Sequence, residues 1–130
     1  MKLLLWTTAM FEAGAGLALL GWPSVFAQLL LAVPLEGAAA LTVARIGGMG
    51  LLTLGLAAWF ASRDDQSCAA RGLAGAMVAY NLGATILLGA AGLRSASTGV
   101  GLWPVVFLHA VMAIWCVSQL LRAAHVAKPL

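Results

Sequence analysis

Four long apolar stretches occupy most of this chain, and a lone polar residue interrupts each near its middle: Glu12, Arg45, Asn81 and His109. No Asp, Glu, Lys or Arg occurs from Ala13 to Leu35, Ile46 to Ser62, Gly72 to Leu93, or Ser95 to Leu121. Crossing about 30 Å of hydrocarbon takes roughly 20 apolar residues in a helix. Three of these gaps meet that length, and the second does once Arg45 is allowed inside the span. With 63% hydrophobic and 8% charged residues in 130, the chain lacks the polar surface of a water-soluble domain. The expectation is an all-α, integral membrane four-helix bundle forming one transmembrane domain over 1–130, its spans at about 3–21, 38–61, 70–93 and 102–124.

The opening Met1-Lys2-Leu3-Leu4-Leu5 has the look of a secretory leader. Glu12 interrupts its apolar run, so it is read as the first span. Gly21-Trp22-Pro23 stops that span, and proline suits the first turn of a new helix. A short interfacial helix is therefore expected at about 24–32, with Val25, Phe26, Leu29, Leu30 and Leu31 toward lipid or bundle and Gln28 toward water. Small residues recur every four positions at Ala40, Ala44, Gly48 and at Gly75, Ala79, Gly83, a pattern that lets membrane helices approach closely. The expected use is packing of the second span on the third, with a dimer interface as the alternative.

The net charge of +3 is spread singly over helix ends and forms no stripe, so nucleic acid is not an expected partner. By the positive-inside rule, Lys2, Arg63, Arg71, Arg122 and Lys128 on one side against Arg94 on the other put both termini in the cytoplasm. The partners this leaves are the lipid bilayer and other membrane subunits or further copies of the chain.

Ionisable groups at membrane depth are expensive and mark function or pairing. At about 1.5 Å per residue, Glu12 lies about 14 Å from the cytoplasmic end of its helix. The same rise puts Arg45 about 10 Å, Asn81 about 14 Å and His109 about 10 Å from the outer end of theirs. All four fall in one layer, which suggests a Glu12–Arg45 ion pair with Asn81 and His109 as hydrogen-bond partners, supported by Thr8, Thr42 and Thr85. Tyr80 adjoins Asn81 but points about 100° away on the helix, so it need not belong to the cluster. His109, Met112 and Cys116 share a helix face and are the candidate metal ligands; haem, quinone or copper near His109 is the cofactor alternative, and no cofactor is otherwise expected. Cys68 and Cys116 match no zinc spacing, and a disulfide between them is not expected. Phosphate loops, serine nucleophile motifs and metalloprotease signatures are missing, so no catalytic residue is assigned.

The stretch Phe11-Glu12-Ala13-Gly14-Ala15-Gly16-Leu17, the Trp22-Pro23-Ser24 break, and Arg45-Ile46-Gly47-Gly48 followed by Leu54-Gly55-Leu56 resemble the DoxX-like group of small four-helix bacterial membrane proteins. The resemblance covers roughly the first half of the chain. It implies a bacterial inner-membrane protein with a proline-bearing outer segment and a Gly-rich second span, in a group with members that are small partners of other membrane proteins. In size and helix count the chain is also similar to small multidrug resistance exporters, whose first-helix glutamate exchanges protons for cationic drugs. Glu12 is the position carried over; Arg45, His109 and the missing Trp-Tyr pattern around the carboxylate depart from that group. The leading expectation is a non-catalytic accessory or assembly subunit of a larger membrane complex. The second is a proton-coupled small-molecule transporter using Glu12, and the third a redox subunit holding haem, quinone or copper near His109.

Overall fold

A computed structural model describes residues 1–126, which include all the positions named above except Lys128. The described chain runs α1 (Lys2–Gly21), α2 (Pro23–Leu31), α3 (Ala38–Ala61), a 3-10 turn (Ser62–Asp64), α4 (Cys68–Arg94) and α5 (Leu102–Val126). Four of these helices are long and apolar enough to cross a membrane, as expected. Local chemistry sets their ends. Pro23 cannot continue α1 and opens α2, while Ala32 (φ 59°) and Gly37 (φ 81°) leave helical geometry between α2 and α3. Ser67 caps α4, its Oγ accepting the Ala70 N–H at 3.1 Å.

The long helices associate as two pairs, α1 with α3 and α4 with α5, and the pairs meet each other far less closely. Glycine explains the first pair. A Cβ on Gly16 would lie 2.6 Å from the Leu52 nitrogen, and one on Gly55 would lie 2.7 Å from the Ala13 nitrogen. Backbone therefore touches backbone along the α1–α3 seam, where dispersion has to act without help from apolar burial. The expected packing of Ala40, Ala44 and Gly48 against Gly75, Ala79 and Gly83 is corrected. Gly48 meets Gly16 and Leu20 of α1, while Gly75 and Gly83 have open space where a Cβ would be.

Buried Leu4, Met77, Met112 and Cys116 tie the two pairs together toward the end that carries the N terminus. At the opposite end α2 bridges them. The N–H of Gly99 donates to the Leu30 carbonyl at 3.1 Å, and that of Gly101 to the Leu29 carbonyl at 2.9 Å. Leu3, Val43, Ile46, Phe107 and Ile114 are all exposed, an outward apolar surface suited to lipid.

Candidate functional site

Between the N-terminal core and α2 the two helix pairs part around a cavity of about 830 Å³. Its walls are mainly apolar, with Phe11 and Ala15 of α1, Phe26 and Leu30 of α2, Leu87 of α4 and Leu108 of α5. Small residues on α4, Ala79, Gly83 and Ala84, make room for it. Glu12, Tyr80 and His109 are its polar lining.

Glu12 is 6% exposed, and its carboxyl has the Tyr80 side chain beside it. The Tyr80 ring stands edge-on to the His109 imidazole with centroids 5.6 Å apart. Tyr80 thus belongs to the site, a membership that helix spacing alone leaves open. The 100° between Tyr80 and Asn81 lets one turn of α4 address two neighbours, Glu12 on α1 and His109 on α5. A cleft between two helix pairs needs both directions. The sequence signal was the lone tyrosine itself, adjacent to a buried asparagine in an apolar span.

Asn81 is 1% exposed and lies behind the imidazole. Its Nδ2 donates to the Met77 carbonyl at 2.7 Å, and its Oδ1 faces His109 Nδ1 at 2.8 Å. Thr85 donates to the Asn81 backbone carbonyl at 2.7 Å, so it stands next to the pair without bonding to either polar side chain.

Arg45 does not join the cluster, and the expected ion pair is not made. The seam register gives the reason. Gly55 lies against Ala9 and Ala13, and Gly16 against Gly48 and Leu52, so Glu12 is level with the chain near Leu54. Arg45 lies nine residues farther along, about 13 Å at the helical rise. It is exposed one turn before Gly48, which packs against Leu20 near the end of α1. A long side chain there reaches headgroups or water without entering the bundle. Among the described residues, the one ion pair is the N-terminal ammonium with Asp65, at 3.3 Å.

Thr42 is likewise exposed, its hydroxyl donating to the Ala38 carbonyl of its own helix at 2.8 Å. Thr8 is buried one turn before Glu12, and its Oγ1 has no hydrogen-bond partner among the described residues. Met112 and Cys116 pack into the core with Leu4 and Met77, while His109 lines the cavity. The three share a helix face as expected, but they do not converge on one open ligand position. His125 is exposed at the far end of α5 and bonds to the Leu121 carbonyl at 2.7 Å.

The arrangement offers an apolar chamber with one polar wall. That wall holds a carboxyl paired with no cation among the described residues, a phenol hydroxyl, and an imidazole fixed from behind by an amide. Such a wall can orient the head of an amphipathic molecule whose body lies in the chamber. No protein family, no curated protein and no solved structure matches this chain.

Proposed function

We propose that this protein binds a small lipophilic molecule inside the membrane and exchanges it against a proton on Glu12, as a proton-coupled carrier. One observation supports this above all: a carboxyl buried within the membrane-spanning part faces an apolar chamber of about 830 Å³, with no cation in salt-bridge distance among the described residues. A charged carboxylate is costly at such depth. It therefore holds either a proton or a ligand group that offsets its charge, and that competition is the elementary step of coupled exchange. The accessory-subunit reading rests on missing enzymatic motifs, minimal loops and a self-satisfied polar cluster; the separation of Glu12 and Arg45 along the α1–α3 seam removes the last of these supports.

The orientation proposed places both termini in the cytoplasm of a bacterial inner membrane. Lys2, Arg63, Arg71 and Arg122 gather toward one end, against Arg45 and Arg94 toward the other. Flux measurements test the function. Vesicles reconstituted with the protein are expected to take up tritiated naphthylethylamine when a pH gradient is imposed, saturably, and Glu12→Gln is expected to abolish the gradient-driven component. Uptake equal to that of empty vesicles, or unaffected by Glu12→Gln, overturns the proposal.

A further inference from the structure

The Met77 carbonyl decides which way the Asn81 amide points. A carbonyl oxygen only accepts hydrogen bonds, so the atom 2.7 Å from it has to be the amide nitrogen. The reversed amide would set two oxygens against each other. Asn81 therefore presents Oδ1, another pure acceptor, to His109 Nδ1 at 2.8 Å. Nδ1 has to carry the hydrogen. In the uncharged imidazole this leaves the Nε2 lone pair without a proton, on a ring that lines the cavity.

We infer that the cavity selects a lipophilic primary or secondary amine, whose ammonium N–H groups bond to His109 Nε2 and to the Glu12 carboxylate. The inference rests on the binding function proposed above and supplies its ligand class. Two acceptors line one wall of the chamber, with the Tyr80 hydroxyl next to the first and its ring edge-on to the second. An ammonium has donors for both and a charge for the carboxylate, while its hydrocarbon body takes the apolar walls. A quaternary ammonium has the same charge and no donor, so it leaves Nε2 unmet. An anionic head meets a carboxylate and a lone pair, and is excluded. Asn81 is the positioning residue: buried behind the ring, it fixes the tautomer.

Binding to the full-length protein in detergent tests this, with two probes: tritiated naphthylethylamine and its N,N,N-trimethyl derivative. The amine is expected to bind at least about tenfold more tightly, the size of effect that losing a charge-assisted hydrogen bond produces. His109→Phe is expected to bring the two affinities together, and His109→Gln, which keeps an acceptor oxygen, to restore part of the preference. Size-exclusion profile and helical circular dichroism report whether each variant has folded. Independently of any variant, the 15N spectrum of histidine-labelled protein is expected to show His109 protonated at Nδ1, with the Nε2 resonance moving when the amine binds.

Equal affinity of the wild-type protein for both probes overturns the amine selectivity and leaves the binding function standing. A His109 resonance protonated at Nε2 in the uncharged ring overturns the tautomer argument. Failure of both probes to bind saturably overturns the binding function itself, and the selectivity with it.

Discussion

Asp65 shows how one residue fastens the helix pairs at their N-terminal end. It lies in the turn between α3 and α4, where its carboxylate accepts the Lys2 backbone N–H at 2.8 Å and faces the N-terminal ammonium at 3.3 Å. Desolvation pushes its pKa upward, but the ammonium and the donated hydrogen bonds outweigh it and hold the carboxyl below its ordinary value. The sign follows from that direction. A group with a depressed folded pKa stabilises fully above its unfolded value, about 3.9, and loses that stabilisation as pH falls through the folded value. Asp65→Asn is therefore expected to lower stability at pH 6 by less than about 1 kcal/mol, as partly exposed pairs do. The gap between wild type and variant closes on acidification below about pH 4. Thermal unfolding of both proteins across that range is the check, and a gap constant with pH would remove the carboxylate as its cause. The same residue scale holds what the sequence hid about the site. Glu12, Asn81 and His109 were legible because polar groups in apolar spans stand out. Tyr80 was not, because facing α1 depends on which helix lies beside α4, and spacing along one helix does not contain that.

Helix boundaries were legible for a different reason: the residues that stop a helix act locally. Pro23 and Ser67 work through their own backbone or side chain, and the expected spans accordingly agree with the observed helices to within a few residues. Helix pairing was not legible. Small residues permit close approach without naming the partner, and Gly48 is as suited to α1 as to α4. The interfacial helix α2 illustrates both points. Its start follows from proline, but its attachment to the turn before α5 rests on Gly99, 68 residues beyond the end of α2 at Leu31. A Cβ at Gly99 would run into the Leu29 carbonyl, and Gln28 O lies 2.7 Å away. Gly99→Ala is expected to break the two backbone bonds that hold α2 and to destabilise the protein by about 1–3 kcal/mol. Gly14 is the matched comparison, with nothing within 4 Å of its Cβ position. Gly14→Ala is expected to be neutral or stabilising by up to about 1 kcal/mol, because alanine favours the helix. Thermal unfolding in one detergent measures both, and equal effects would mean that α2 is held by something other than the Gly99 and Gly101 bonds.

At the scale of the whole molecule, the unexpected feature is that four spans form two pairs with a chamber between them. Position along each helix axis could be read from the sequence, because rise per residue is fixed. The offset of one helix against its neighbour and the rotation about each axis could not, and these decide whether polar residues meet. Arg45 exposes the limit: its estimated depth lay only a few ångström from that of Glu12, whereas the glycine seam sets it about 13 Å farther along α3 on an exposed face. The chamber itself depends on residues that are small where a uniform bundle would be filled. Gly83 lines it and has no atom within 4 Å of its Cβ position, whereas Gly16 would press a Cβ to 2.6 Å from the Leu52 nitrogen. Phenylalanine at the two positions should therefore act oppositely. Gly83→Phe is expected to fill part of the chamber, leave the unfolding midpoint unchanged or higher, and reduce naphthylethylamine binding by tenfold or more, on the order of 1.4 kcal/mol. Gly16→Phe is expected to wedge α1 from α3 and to lower stability by about 3 kcal/mol or more, since overpacked backbone contacts cannot relax by rotamer changes alone. Measuring unfolding and amine binding on the same samples separates the cases. Loss of stability in Gly83→Phe as severe as in Gly16→Phe would mean that the helix pairs close on each other in the membrane. A bundle closed in that way has no chamber for a carrier to load.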